Sequence, residues 1–202
     1  MQRRSRFSYS RFNHSTAGFT LLEVLLVIIL IGIIFAIASP GWDAFLSRQR
    51  VSTGREQVLQ VIRQAQSEAR TTRSPRVVAF DPSPASGVPR VGYASFPSAS
   101  TFPVPLNSIS NWKSLGGDSV QRGALVMRTN SARNQLVFDS EGNVAQAPIV
   151  TTSQFGTLPN STDPGFGITV ARGNAPGNGT NRCVIVNTLL GATRLAEGAN
   201  CP

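Results

Sequence analysis

Gly18-Phe19-Thr20-Leu21-Leu22-Glu23-Val24 opens the stretch that decides the fold, and an apolar run carries it on to Ala38 as VLLVIILIGIIFAIA from Val24. From Phe19 to Ala38 there are twenty residues and one charge, Glu23. At about 1.5 Å rise per residue, a helix of that length spans about 30 Å, the hydrocarbon thickness of a bilayer. The run has no polar face, and a helix apolar on every side has to be buried in lipid or among other helices. Glu23 is the anomaly. An acid inside a membrane span is costly to leave unpaired and marks a function, the alternative being an acid tolerated near a helix end.

Residues 1–17 are basic and Ser-rich, with no apolar block of their own. An ordinary secretory signal places its apolar region before the cleavage site. Here the apolar region follows Gly18, so cleavage there leaves the anchor on the mature protein. Arg3-Arg4 invites a twin-arginine reading, but no separate apolar region follows it. The basic leader and the absence of positive charge in the span predict a single-pass protein, leader inside and C-terminal domain outside.

The small residue Gly18, Phe19 as first mature residue, Glu23 at the fifth mature position and the hydrophobic block behind a short basic leader resemble the N-terminus of type IV prepilins and pseudopilins. The resemblance implies cleavage between Gly18 and Phe19 by a prepilin peptidase at the membrane face, and N-methylation of Phe19. It also implies that the Glu23 carboxylate pairs with the N-terminal ammonium of a neighbouring subunit as subunits leave lipid for a filament. The implied partners are other pilins through the N-terminal helix and an inner-membrane assembly platform. The implied location is the bacterial inner membrane with a periplasmic head.

The 202 residues suffice for one membrane helix and one modest globular domain. The formal charge of +9 includes Arg3, Arg4, Arg6 and Arg11 of the leader, whose loss leaves +5 on the mature side chains. That balance allows a nucleic-acid partner without demanding one. Eighteen of the nineteen basic residues are arginine, Lys113 being the exception. The two cysteines, Cys183 and Cys201, form an even count in an exported chain. They suggest a disulfide closing a loop of about nineteen residues, or alternatively two buried free thiols.

Ser39-Pro40-Gly41 is expected to interrupt and kink the helix where it leaves the membrane, with Trp42 at the interface. Val51, Val58, Ile62, Ala65 and Ala69 then recur at helical spacing, while Arg48, Arg55, Gln57, Arg63, Gln66 and Arg70 are polar. This predicts an amphipathic helix from about Trp42 to Thr72, ending before Ser74-Pro75. Strands are predicted at Arg76–Phe80, around Val91–Phe96, and at Ala124–Arg128, Gln135–Phe138, Phe166–Ala171 and Val184–Val186. Ser140-Glu141-Gly142-Asn143 reads as a turn into Val144–Ala147, making a hairpin with Gln135–Phe138. Leu189–Leu195 is expected to fold back on Val184–Val186. Most of Asp81–Pro105, Ala145–Asp163 and Gly173–Asn181 reads as loop.

The second half resembles the minor pseudopilin H and FimT/FimU-type minor pilins. The features are the helix ending Gln64-Ala65-Gln66-Ser67-Glu68-Ala69-Arg70, the strand after Pro75, the Val137-Phe138-Asp139…Gly142 hairpin and the strand pair near Cys183–Arg194. The expected fold is α+β: a long kinked N-terminal helix on a small antiparallel β-sheet domain. The expected segments are a removed leader at 1–18, an assembly helix at 19–40, the amphipathic half of the spine at 41–73 and a β-rich head at 74–202. A Gly-Arg-x-Arg element tied to DNA binding in the FimT branch corresponds here to Gly191-Ala192-Thr193-Arg194, so only Arg194 carries over.

The leader holds the only histidine, His14, so the mature part cannot build Ser-His-Asp, Cys-His or His-based zinc sites. There is no P-loop and no CxxC pair. Asp139 and Glu141 match no full calcium loop and read as solvated turn residues. The function expected is therefore structural, with no cofactor, metal or catalytic residue: a minor pilin or pseudopilin of a type IV pilus or type II secretion pseudopilus, at the tip or in assembly initiation. The alternative is a DNA-binding minor pilin using Arg182 and Arg194 as phosphate contacts.

Overall fold

A computed structural model describes residues 18–97, 102–117, 120–146, 154–158, 164–173 and 181–202. The leader expected at 1–17 and much of the loop expected at 145–163 lie outside the described residues. Helix α1 runs from Leu21 to Thr72. The chain divides into two compact units, Met1–Trp42 and Asp43–Pro202.

In the first unit the helix begins at Leu21 on a Thr20 cap and continues through Ser39-Pro40-Gly41 without the expected interruption. Pro removes one backbone donor and crowds one carbonyl, yet the helix runs on past it to Thr72. Every side chain described from Leu21 to Ile37 is exposed, the large apolar ones by 46 to 84 %. Among the described residues no helix is long and apolar enough to cross a membrane. The described apolar side chains stop at Ile37, which leaves a run at the short end of the roughly 17–25 residues that spanning takes.

In the second unit one face of α1 is buried. Val51, Val58, Ile62, Ala65 and Ala69 are 2 % exposed or less, as their spacing predicts, and Leu59 and Val61 join them. Gly54 lies on the same stripe. A Cβ there would sit 3.2 Å from Val170, so glycine brings the helix close over the strand below.

The β-rich head expected from the sequence is present, and among the described residues its nine strands form two antiparallel sheets. The first has the order β3-β2-β1-β5, with β1 at Arg76–Asp81, β2 at Arg90–Ser95, β3 at Lys113–Ser114 and β5 at Gln135–Phe138. The second has the order β4-β7-β8-β9, with β4 at Leu125–Thr129, β7 at Pro164–Arg172, β8 at Arg182–Val186 and β9 at Thr193–Glu197. The two-residue β6, Gly156–Thr157, also pairs with β7.

Both sheets and the helix share one core. Val78, Phe80, Leu136 and Phe138 from the first sheet meet Phe166, Ile168, Val170 and Val184 from the second beneath Ile62 and Ala65. The Phe80 and Phe166 rings are 5.5 Å apart. Strand β1 is apolar on both faces because both are covered. Its other face, Val77 and Ala79, packs under Phe96, Val104 and Ile109, with Phe102 and Trp112 at the edge. Part of the stretch read as loop thus forms a second core layer. Gln135 pins it there, its side chain accepting the Val104 N–H at 2.8 Å and donating to the Val104 carbonyl at 2.6 Å.

The expected hairpin after β5 shrinks to a single bridge, Phe138 to Val144. The buried Gln154 carboxamide accepts the Val137 N–H and donates to the Ala145 carbonyl, filling the place of a second strand. Strand β5 pairs instead along β1. The return of Leu189–Leu195 is present as β9, which runs on to Glu197 against β8.

Candidate functional site

The N-terminal site is built on the first turn of α1. Thr20 caps it: the Glu23 N–H donates to Thr20 Oγ1 at 3.2 Å, and the Val24 N–H to the Thr20 carbonyl at 3.2 Å. Thr20-Leu21-Leu22-Glu23 has the spacing of a capping box, a signal legible in the sequence itself. Glu23 lies in the first turn, where the helix dipole favours negative charge. Its side chain is exposed, and Phe19 beside it is 80 % exposed. At Gly18 an added Cβ would meet no described atom within 4 Å. Nothing in the described structure demands glycine there.

The second cluster is the C-terminal end of the helix. In Gln64-Ala65-Gln66-Ser67-Glu68-Ala69-Arg70 the two alanines are buried and four of the polar residues reach the head. Gln64 Nε2 donates to the Tyr93 hydroxyl at 2.7 Å, and that hydroxyl donates to Glu68 Oε1 at 2.6 Å. Gln66 Nε2 donates to the Gly142 and Leu190 carbonyls, at 2.8 and 3.1 Å. Arg70 Nε donates to the Glu141 carbonyl at 3.0 Å. Gly142 and Gly191 both have positive φ, 78° and 76°, and lie against Arg70 and Gln66 with no room for a Cβ. The motif is a clasp on two turns. The hydrogen bond to the Glu68 carboxylate, then burial, push the Tyr93 hydroxyl above its ordinary pKa.

Asp139 and Glu141 belong to that clasp. Asp139 Oδ1 accepts the N–H groups of Glu141 and Asn143 at 2.9 and 2.8 Å, the pattern of an Asx turn. Among the described residues no His, Cys, Asp or Glu cluster could hold a metal.

Cys183 and Cys201 form a disulfide with Cα atoms 5.6 Å apart. It packs with Leu158 and Ile185 on the outer face of the second sheet. The small residues of β7 let the C-terminal tail lie there. A Cβ at Gly167 would collide with Pro202, and Thr169 Oγ1 donates to the Pro202 carbonyl at 2.7 Å.

The two arginines expected as phosphate contacts are not brought together. In the β8–β9 register Arg182 faces Glu197 while Arg194 faces Ile185. Positions 182 and 185 are three apart on one strand, so the two arginines occupy opposite faces of the sheet. Arg182 is engaged with Glu197 at 3.5 Å, and Glu197 also holds Arg55 at 3.0 Å. The glycine of the Gly191–Arg194 element serves the turn against Gln66.

With this geometry in place, comparison with known proteins is informative at the N-terminus. Residues 13–39 match the prokaryotic N-terminal methylation motif, the signature of prepilins. No curated protein matches the chain. Among solved structures it is similar to the type IV minor pilin FimU of Pseudomonas aeruginosa strain PAO1. In one crystal form the identity is 16 %, with 78 % of this chain and 96 % of that one covered and a TM-score of 0.49. In a second form the values are 18 %, 75 %, 96 % and 0.43. It is also similar to the minor pseudopilin EpsH of the type 2 secretion system of Vibrio cholerae, at 12 % identity over 73 % of this chain and 97 % of that one, with a TM-score of 0.41.

Proposed function

We propose that the chain is a minor pilin or pseudopilin, a structural subunit of a type IV pilus or type II secretion pseudopilus that acts at the tip or in starting assembly. The observation that carries this reading is the methylation motif at residues 13–39 running into a helix whose apolar side chains are exposed on every side from Leu21 to Ile37. A surface of that kind has to be covered by lipid or by other helices. A filament subunit uses both in turn.

In this reading a prepilin peptidase cuts after Gly18, where the absence of a side chain leaves the bond open, and Phe19 becomes the N-methylated N-terminus. Residues 19–40 then anchor the protein in the inner membrane, with 41–73 and the head at 74–202 in the periplasm, and an assembly platform hands it to other pilins. The Glu23 carboxylate takes the ammonium of a neighbour's Phe19 and sets axial register. The capped turn holds Glu23 at the tip of the helix, where such a partner can reach it. Replacing Glu23 by Ala should leave insertion in the membrane intact and abolish recovery in the filament fraction. Wild-type recovery of Glu23→Ala would refute the pairing. Replacing Gly18 by a bulky residue should leave the full-length precursor on a gel.

A further inference from the structure

We propose that a cleft at the anchor-proximal end of the second unit binds the phosphate of an anionic phospholipid. The cleft has a volume of about 120 Å³ and is lined by Ala44, Ser47, Arg48, Val51 and Arg172. The first four residues form one stripe of the helix at i, i+3, i+4 and i+7 spacing. Arg172 ends strand β7, which the stripe overlies. Two arginines, one from the helix and one from the sheet, thus line one concavity together with the buried Val51.

Neither the Arg48 nor the Arg172 side chain makes an ion pair or hydrogen bond with a described residue, whereas Arg55, Arg76, Arg90 and Arg182 each hold a carboxylate. Arginine pairs planar donors with phosphate oxygens, and two in one cleft concentrate positive charge that a single exposed arginine does not. Arg48 follows Ala38 by ten residues in the chain. With the apolar run in the bilayer, as proposed above, that places it in reach of the headgroups, where basic side chains are drawn to anionic lipid. A carboxylate from a second copy is the poorer occupant. Of the described acids, Glu56, Glu68, Asp81 and Glu197 already pair with the chain's own arginines and Asp139 is taken up in its turn, which leaves Glu23 and Glu141 as the carboxylates a second copy has to offer.

The test uses the full chain, labelled with ¹⁵N-arginine, in uncharged maltoside micelles. Short-chain phosphatidylglycerol, short-chain phosphatidylcholine or inorganic phosphate is added while the Nε signals are followed. Phosphatidylglycerol should shift Arg48 and Arg172 saturably and leave Arg63 unmoved. Inorganic phosphate should be weaker by roughly tenfold or more, because the micelle raises the effective concentration of the lipid. Arg48→Gln and Arg172→Gln should each remove the shift of the other arginine. Three results would overturn the proposal: no saturable shift, an equal shift at Arg63, or an equal response to free phosphate. A shift that follows protein concentration instead of lipid would assign the cleft to a second copy. A second, uniformly ¹⁵N-labelled sample with a micelle-soluble spin label checks the anchor independently. Broadening of the Ile28–Ile34 signals with silent arginines sinks the lipid site alone, and no broadening sinks the anchoring with it.

Discussion

The two halves of α1 are made of the same kind of residue and differ in what completes them. From Leu21 to Ile37 valine, leucine and isoleucine are exposed on all sides, whereas Val51, Val58 and Ile62 lie at 2 % exposure or less. In the proposed function the first half carries no polar face because lipid and other subunits cover it. The second alternates apolar with Arg, Gln and Glu because one side meets its own head and the other meets water. One half of the helix is thus completed by the fold of its own chain, and the other half is left exposed.

Charges placed on each half sharpen that contrast most. Ile62→Asp buries an unpaired carboxylate in the shared core and should destabilise the head on the order of 4 kcal/mol or more, read as loss of cooperative melting. Ile29→Asp should leave the melting of the head unchanged while lowering recovery from membranes, since an acid at the centre of a span costs about 2.5–3.5 kcal/mol on insertion scales. If both variants melted alike, the division would collapse.

The next effect in size belongs to the head. Replacing Cys183 and Cys201 together by serine opens the loop they close, whose ends are 18 residues apart. It should cost about 3 kcal/mol in a denaturant titration. Incorporation into filaments should follow the anchor half and persist wherever the head still folds.

A smaller effect tests the clasp. Gln66→Ala removes the donor to Gly142 and Leu190 and should cost about 1–2 kcal/mol, seen as faster hydrogen exchange in the 139–143 and 188–192 turns.

The smallest is a titration. In the proposed function cleavage after Gly18 removes Tyr9, which leaves Tyr93 as the single tyrosine of the processed chain. Its ultraviolet titration should give one midpoint above the ordinary value of 10.0. Glu68→Gln should bring it down, because the hydrogen bond to the Glu68 carboxylate is the main cause of the rise. The sign for stability follows: the contribution is present in full below the unfolded pKa and is lost as pH rises through the higher folded one.

The same contrast governs what could be read before the fold was known. The stripe from Val51 to Ala69, the apolar run RVVAF of β1 and the β8–β9 return are legible because burial imposes a period or a continuous apolar run. The N-terminal site is legible for another reason: in the proposed function Gly18, Phe19 and Glu23 serve processing and assembly, and no described atom lies where a Gly18 Cβ would sit. The Thr20 cap could have been found from its spacing to Glu23.

Other features left weak local signals or none. Phe102, Val104, Ile109 and Trp112 cover a sheet from a Pro-rich stretch without period. Strands β3 and β6, two residues each, exist only through their neighbours. The side chain of Gln154 replaces a strand, which no pattern around Val144 announces. That Arg182 and Arg194 face opposite ways depends on strand register, which composition does not carry.

The most direct measurement is the intact mass and N-terminal sequence of the protein recovered from its native host in the filament or secretion-complex fraction. The account predicts a chain that begins at Phe19 and is one methyl group heavier than the sequence from that residue. A chain in that fraction that still begins at Met1, or one never found with any fibre or its base, would contradict it.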